Sequence, residues 1–291
     1  MNDIGLILEG GGMRGVFTAG VLDFFLDQGI HFSKCLGVSA GACHACSYLA
    51  GQRGRAFAIS TDYLDDRRYC SLYSLLTTGD LFGVQLAYHE IPDRLYPIDN
   101  AAFRRSGAAF QAVVTNCETG KAEYPVIRDL KKDIDYVRAS SSLPLLANIV
   151  TLNGRPYLDG GIADSIPLRR SIRQGCVKNV VVLTQHRAYR KQKNKLLPLL
   201  KVKYRAYPQL LRAVETRHLR YNRTLLTVAA EERSGRAFVI APPQPLGLGR
   251  IEKDSEKLKA AYQSGYDEAA RRYTALKAFL VASPGPGAAF D

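Results

Sequence analysis

Three stretches of this sequence combine residue types that can do hydrolytic chemistry. The first is Gly37-Val38-Ser39-Ala40-Gly41, a Gly-x-Ser-x-Gly pentapeptide between an apolar run and a helix-compatible one. A serine hydroxyl is a poor nucleophile unless the backbone holds it in a sharp, exposed turn and a base removes its proton. Gly37 and Gly41 leave room for that turn, and the start of the following helix sets backbone N–H groups beside Ser39. The same string also serves as an ordinary strand-to-helix turn. The second stretch is Gly10-Gly11-Gly12-Met13-Arg14-Gly15. Its Gly10-x-Gly12-x-x-Gly15 spacing satisfies the dinucleotide fingerprint, but that reading needs an acid at the end of the next strand, which here ends in Gly37-Val38-Ser39. The other reading gives the loop's N–H groups to the oxyanion that develops when Ser39 attacks a carbonyl, donors usually worth a few kcal/mol in the transition state. Arg14 is then either a solvated charge at a helix start or an organiser of the loop. The third stretch is Asp159-Gly160-Gly161, a carboxylate in what is also a common turn sequence.

A serine nucleophile needs a base, and the histidines are His31, His44, His89, His186 and His218. The order Ser39, Asp159, His186 matches the Ser, acid, His order of α/β-hydrolases, although that fold carries its elbow after several strands and Ser39 follows the second. His44 lies five residues beyond Ser39 on the same helix, so it is expected to point away from the hydroxyl. All five histidines read best as surface or capping residues. Cys43-x-x-Cys46 has neither a second such pair nor a close histidine pair to complete a metal site. It therefore reads, with Cys35, Cys70, Cys117 and Cys176, as core thiols of a reducing compartment.

The elements that must position these groups follow from the apolar periodicity. Residues 4–8 read as a buried strand running into the glycine loop, residues 16–28 as a helix, 32–38 as a second strand and 40–50 as a small-residue helix. This strand, loop, helix, strand, Ser turn, helix order implies a parallel sheet with right-handed crossovers. Residues 54–108 read as short helices and loops. Next come a strand at 109–116, a helix at 129–137, and a hairpin over 149–158 turning at Asn153-Gly154. A helix at 168–174 and a strand at 179–184 are expected to complete the sheet. Helices over 209–232 and 254–281, an extended stretch at 237–241, and a disordered tail from 283 follow.

The composition is that of a soluble globular protein, with 46% hydrophobic and 23% charged residues in 291. The first residues carry no basic leader before the glycines, and no stretch approaches the about 18 apolar residues a membrane span needs. The expectation is a cytoplasmic protein. Its net charge of +13 is concentrated: Arg187 to Arg223 holds 12 basic residues against one acid, Glu215. Such a run is either a solvated helical face or a docking surface. Leu196, Leu197, Leu199, Leu200, Val202, Tyr204, Tyr207, Leu210 and Leu211 interleave with the charges, which suits peripheral contact with an anionic membrane. No aromatic stacking set or groove-reading motif points to nucleic acid.

Taken in order, Gly10 to Gly15, Gly37 to Gly41, Ala139-Ser140-Ser141-Ser142-Leu143-Pro144 and Asp159 to Gly161 resemble the motifs of the patatin-like phospholipase family. The resemblance covers roughly residues 4–184, and the remainder is similar to an extension found in a bacterial subgroup. It implies a three-layer α/β/α fold with a mainly parallel sheet and a Ser-Asp dyad that uses no histidine, metal or cofactor. Ser39 is then the nucleophile, Asp159 the proton acceptor, and Gly11, Gly12 and their neighbours the oxyanion hole. An aspartate with a reference pKa near 3.9 is a weak base in water, but in a shielded site it accepts the proton as the hydroxyl attacks. The domains expected are a hydrolase at 1–184, a basic, mostly helical extension at 185–282, and the tail. The implied activity is hydrolysis of lipid acyl esters. The alternatives are a small-ester or thioester hydrolase with the same dyad, and an inactive membrane-binding module.

Overall fold

Every residue of the first strand, β1 (Ile4–Leu8), is buried, because both faces of the sheet to which it belongs are covered. In the computed structural model, which describes residues 4–283, Leu6 and Leu8 join one apolar cluster while Ile7 joins another. The same alternation separates Cys35 from Leu36 in β2 (Lys34–Val38) and Val180 and Val182 from Val181 in β8 (Lys178–Val182). A period of two with apolar residues in both phases is the signature of a sheet sandwiched between helices.

The remaining strands are β3 (Ala109–Asn116), β4 (Ala122–Glu123), β5 (Val126–Ile127), β6 (Val150–Leu152), β7 (Arg155–Asp159) and β9 (Ala237–Ile240). Their order is β6-β7-β3-β2-β1-β8-β9, with β4 and β5 paired to β3 off this path. From β3 to β9 the neighbours run parallel, whereas β7 runs antiparallel to β3 and to β6. The β6–β7 hairpin turns where expected, with Asn153 and Gly154 both at positive φ.

The helices are α1 (Val16–Asp27), α2 (Ala40–Leu49), α3 (Arg55–Thr61), α4 (Leu72–Thr78), α5 (Asn100–Arg105), α6 (Leu130–Ser141), α7 (Leu168–Arg173), α8 (Leu197–Lys203), α9 (Pro208–Arg233), α10 (Ser255–Arg271) and α11 (Tyr273–Val281). Phe17, Val21 and Phe25 of α1, Ala42 and Ala45 of α2, Ala269 of α10 and Leu276 of α11 cover one face of the sheet. Leu168 of α7 and Tyr221 and Val228 of α9 cover the other. The result is a three-layer α/β/α fold with a mainly parallel sheet. The α1–α10 crossing is close because both helices present glycine. A Cβ on Gly20 would stand 2.0 Å from the Tyr262 carbonyl oxygen, and one on Gly265 2.0 Å from that of Phe17.

Several elements differ from expectation. The strand at 179–184 does not complete the sheet: β9, beyond the basic region, pairs in parallel with β8. Residues 237–241 are extended as expected, but the short run Ala-Phe-Val-Ile carries no sign of the neighbour it pairs with. Helix α6 runs past 137 to Ser141 and stops short of Pro144, before which helical backbone is disfavoured. The last helical stretch is broken at Arg272, whose guanidinium lies 4.3 Å from the Phe238 ring centroid. In the basic region, Leu197, Leu200, Tyr204 and Leu210 are core residues and not part of an outward face. Residues 284–291 of the expected tail lie outside the described residues. No helix among the described residues is long and apolar enough to cross a membrane.

Candidate active site

Ser39 sits between the end of β2 and the start of α2 with φ 54° and ψ −126°, a conformation that L-residues rarely adopt. Its surroundings impose this geometry. A Cβ on Gly41 would lie 2.6 Å from the Leu8 carbonyl oxygen, and one on Gly37 2.6 Å from Ala42 Cα, so the elbow fits against β1 and α2 only with glycine at both places. The Ser39 carbonyl accepts from the N–H groups of Ala42 and Cys43, and its own N–H donates to Ser140 Oγ at 2.9 Å. Of the four N–H groups that open α2, those of Ala42 and Cys43 are thus taken by the Ser39 carbonyl, and those of Ala40 and Gly41 precede the first turn that could supply an intrahelical acceptor.

The glycine loop approaches from the end of β1. A Cβ on Gly10 would stand 2.8 Å from Ser39 Cβ, and one on Gly11 2.7 Å from Thr184 Oγ1. Gly12 takes φ +58°, and the next residue, Met13, donates its N–H to the Arg250 carbonyl at 3.0 Å. The loop is therefore clamped between the elbow, the end of β8 and the segment before α10.

Asp159 closes the site from the last position of β7, opposite Val114 of β3. Its Oδ1 accepts from the Gly161 N–H at 2.7 Å, its N–H donates to the Ser142 carbonyl, and its carbonyl accepts from Thr115 Oγ1. Oδ2 is buried with no fully formed hydrogen bond. Burial raises the pKa of this carboxyl above the ordinary carboxylate range, opposed by the Arg217 charge, the neighbouring Ser39 hydroxyl and the Gly161 N–H. A carboxylate held on its own strand end, with one oxygen tied down and the other unengaged beside a serine, has the disposition of a proton acceptor.

Two cavities meet at Ser39. A polar cleft is lined by Gly10, Gly11, Gly12, Arg14, Val38, Ser39, Asp159 and Gly161, so eight residues of the three motifs converge there. The other motif glycines serve packing: Gly15 lies against Ala40 and His44, and Gly160 against the Val113 backbone. On the other side of Ser39 lies an apolar cavity of about 150 Å³, whose walls include Met13, Val16, Phe82, Ile91, Ile134 and Val137. Gly12, Ser39 and Leu143 border both spaces.

His44 is a correction to the expected surface histidines. It is buried, lines the apolar cavity, and its pKa is pushed down to about 4 by burial, so it is neutral at physiological pH. Cys43 and Cys46 line the same cavity. His186 stacks edge-on with Tyr189, 6.4 Å between centroids, and borders neither cavity.

Sequence reasoning missed several residues of the cleft: Glu9, Gln185, Lys191, Arg217, Tyr221 and Arg250. Glu9 is buried, accepting from the Tyr221 hydroxyl at 2.6 Å and from the Thr184 N–H at 2.8 Å. Its pKa too is raised by burial, against these two donors. An acid directly after an all-apolar strand was the available signal for Glu9. For Arg217 and Arg250 there was none, because a cation in a basic, helical or irregular segment reads as solvated.

Comparison with known proteins agrees with this architecture. A family model described as patatin-like phospholipase matches residues 6–171, and a domain of unknown function (DUF6363) matches residues 207–281. The Escherichia coli K12 protein YjjU is 33% identical over 185 residues, covering 62% of this chain and 52% of its own. Lysophospholipase NTE1 of Eremothecium gossypii is 27% identical over 189 residues, covering 60% of this chain and 11% of its own. The chain thus spans about half the length of the first relative and about a tenth of the second. The crystal structure of VipD from Legionella pneumophila superposes with a TM-score of 0.50 at 14% identity, covering 94% of this chain and 67% of that one, a likeness of fold. With more than half of its length matched by the family model, the chain belongs to the patatin-like phospholipase family.

Proposed function

We propose that the protein hydrolyses acyl esters of lipids through an acyl-Ser39 intermediate, with Asp159 as the only side-chain base. The observation that carries this reading is the position of Ser39 on the border between a polar cleft containing Asp159 and an apolar cavity. An ester with a long acyl chain needs that division: its chain leaves water for the cavity while its carbonyl lies at the serine. Burying each methylene contributes about 0.8 kcal/mol. The cavity therefore favours a fatty acyl group over the small esters that the same dyad would otherwise accept.

In the proposed reaction Ser39 Oγ forms a bond to the ester carbonyl carbon while its proton passes to Asp159. The negative charge that develops on the carbonyl oxygen is met by N–H groups of the glycine loop and the start of α2. Collapse breaks the ester bond, and the departing alcohol takes the proton from Asp159. Water then repeats the sequence: Asp159 accepts its proton, the hydroxide oxygen bonds to the acyl carbon, and Ser39 Oγ leaves with the proton returned to it. A pKa raised by burial suits both halves, since it brings the carboxylate nearer the basicity that proton acceptance demands. The name lysophospholipase on a relative supports a lipid substrate.

Peripheral membrane docking belongs to the same proposal. Leu196, Leu199 and Val202, at and in α8, are 56%, 54% and 73% exposed beside Lys201 and Lys203, an arrangement that supports settling at an anionic headgroup layer. The hydrolase reading is tested by reacting the protein with a fluorophosphonate and mapping the adduct. Adduct at Ser39, absent in Ser39→Ala, is the expected result; an unlabelled, folded protein would overturn it.

A further inference from the structure

Helix α2 walls the apolar cavity along its length, since Ser39, Cys43, Cys46 and Ser47 all line that space. At 1.5 Å per residue, the advance from Ser39 to Ser47 is about 12 Å. The group met there is a cation. Arg55, at the start of α3, also lines the cavity and donates from Nη1 to Ser47 Oγ at 2.9 Å. Its Nε and Nη2 donate to the Tyr96 carbonyl at 3.0 and 2.6 Å, where the π-helical stretch Leu86–Leu95 ends. These bonds occupy three of the five N–H groups of a guanidinium, which leaves one on each terminal nitrogen. Among the described residues Arg55 has no ion pair within 4.0 Å. Burial disfavours its charge, and no carboxylate offsets that effect. A cation on the wall of an otherwise apolar space is costly unless a counter-charge enters with the ligand.

We propose that the acyl chain held in this cavity ends in a carboxylate bound by Arg55, so that the substrate is a half-ester of a dicarboxylic acid cleaved at Ser39. The inference rests on the hydrolase reading above and adds to it the chemical class of the acyl group. The N–H groups left on Nη1 and Nη2 can donate to the two oxygens of a carboxylate, a charge-assisted match that a methyl end cannot make. Ile59, Ile91 and Ile98 line the same space and suit the methylenes that join the two polar ends. The bonds made and broken are those of the reaction above: the alcohol leaves with its proton, water releases the acyl group from Ser39, and the second product is the free dicarboxylate. Chain length follows from the same geometry. An extended chain advances roughly 1.2 Å per bond, so a span of about 12 Å selects an acyl group of about eight to ten carbons. Arg55 also ties the π-helical stretch to α2 through Tyr96 and Ser47. That role bears on every ester alike, whereas a carboxylate site discriminates between them.

The test uses the full chain. kcat/KM is measured for p-nitrophenyl half-esters of the dicarboxylic acids from adipic to dodecanedioic, each against the p-nitrophenyl alkanoate of equal carbon number, below their aggregation concentrations. The ratio of half-ester to alkanoate should peak between suberic and sebacic acid at about tenfold or more, the effect of one hydrogen bond to a charged group. It should fall toward unity in Arg55→Gln and be kept in part in Arg55→Lys. A wild-type ratio at or below unity at every length, with the alkanoates cleaved, would overturn the carboxylate site and leave the hydrolase intact; this arm stands even if Arg55→Gln does not fold. A ratio unchanged in folded Arg55→Gln, with both esters slowed alike, would overturn it also and leave Arg55 as a tie between α2 and the π-helical stretch. If no ester is cleaved, the hydrolase reading fails and calorimetric titration with free sebacate judges the site alone. Saturable binding by the wild type, lost in Arg55→Gln, would uphold the site, and no binding would overturn it.

Discussion

Tyr221, on α9, donates its phenolic hydroxyl to Glu9 Oε1 at 2.6 Å, joining residues 212 positions apart. Glu9 ends the run of β1 into the glycine loop, so the bond ties α9 to the backbone that faces Ser39. The prediction is that Tyr221→Phe lowers stability by about 1 to 3 kcal/mol, the range for a hydrogen bond to a buried carboxyl group. Urea denaturation at neutral pH measures it, and a loss too small to resolve would show that α9 is docked by packing alone.

Arg217 gives a prediction about pH. The base must be deprotonated to act, so activity falls as pH drops through the Asp159 pKa. Burial raises that pKa and the Arg217 charge opposes the rise. Arg217→Gln removes the opposing charge, and the acid limb of kcat/KM on a neutral ester should move to higher pH. A limb that stays in place, or moves down, would separate Arg217 from the base electrostatically.

The apolar cavity gives a prediction about chain length. Ile134 lines it from α6 and is partly buried. Ile134→Phe should shorten the preferred acyl chain, reducing kcat/KM for a long-chain p-nitrophenyl ester about tenfold relative to the butyrate, in keeping with the leverage of one or two methylenes in a pocket. Equal losses for both chain lengths would place the acyl group elsewhere.

The exposed face of α8 gives a prediction about membranes. Each basic residue near an anionic leaflet contributes about 1 kcal/mol, screened by salt. The protein should sediment with vesicles rich in phosphatidylglycerol at low salt, and binding should fall several-fold at high salt or in Leu199→Ser/Val202→Ser. Equal binding to zwitterionic vesicles, or none to either, would leave α8 as a solvated helix.

Local pattern carried much of this architecture. The all-buried run Ile4 to Leu8, the glycine loop and Ser39 at the end of the second strand are features of a few adjacent residues, and short apolar runs punctuated by glycine make them visible. The short helices between 54 and 108 resisted reading because they contain a π-helical stretch, Leu86–Leu95, with Pro92 inside it, whose periodicity matches neither template. The cationic side of the cleft was hidden for a different reason. Arg217 and Arg250 share a cleft with Ser39 through the joining of β9 to the sheet and the packing of α9 across its face, which are long-range facts. The same segment held both kinds of residue: Lys201 and Lys203 flank exposed apolar side chains, while Arg217 enters the site.

The central claim is that Ser39 and Asp159 act in one step. The most direct measurement is kcat/KM for a single long-chain ester with the wild type, Ser39→Ala, Asp159→Asn and the double variant, each first shown to be folded by its thermal transition. Residues that act as a unit are strongly non-additive. Each single variant should lose at least about a thousandfold, and the double variant should be little worse than either. Folded Asp159→Asn protein with turnover near that of the wild type would contradict the account.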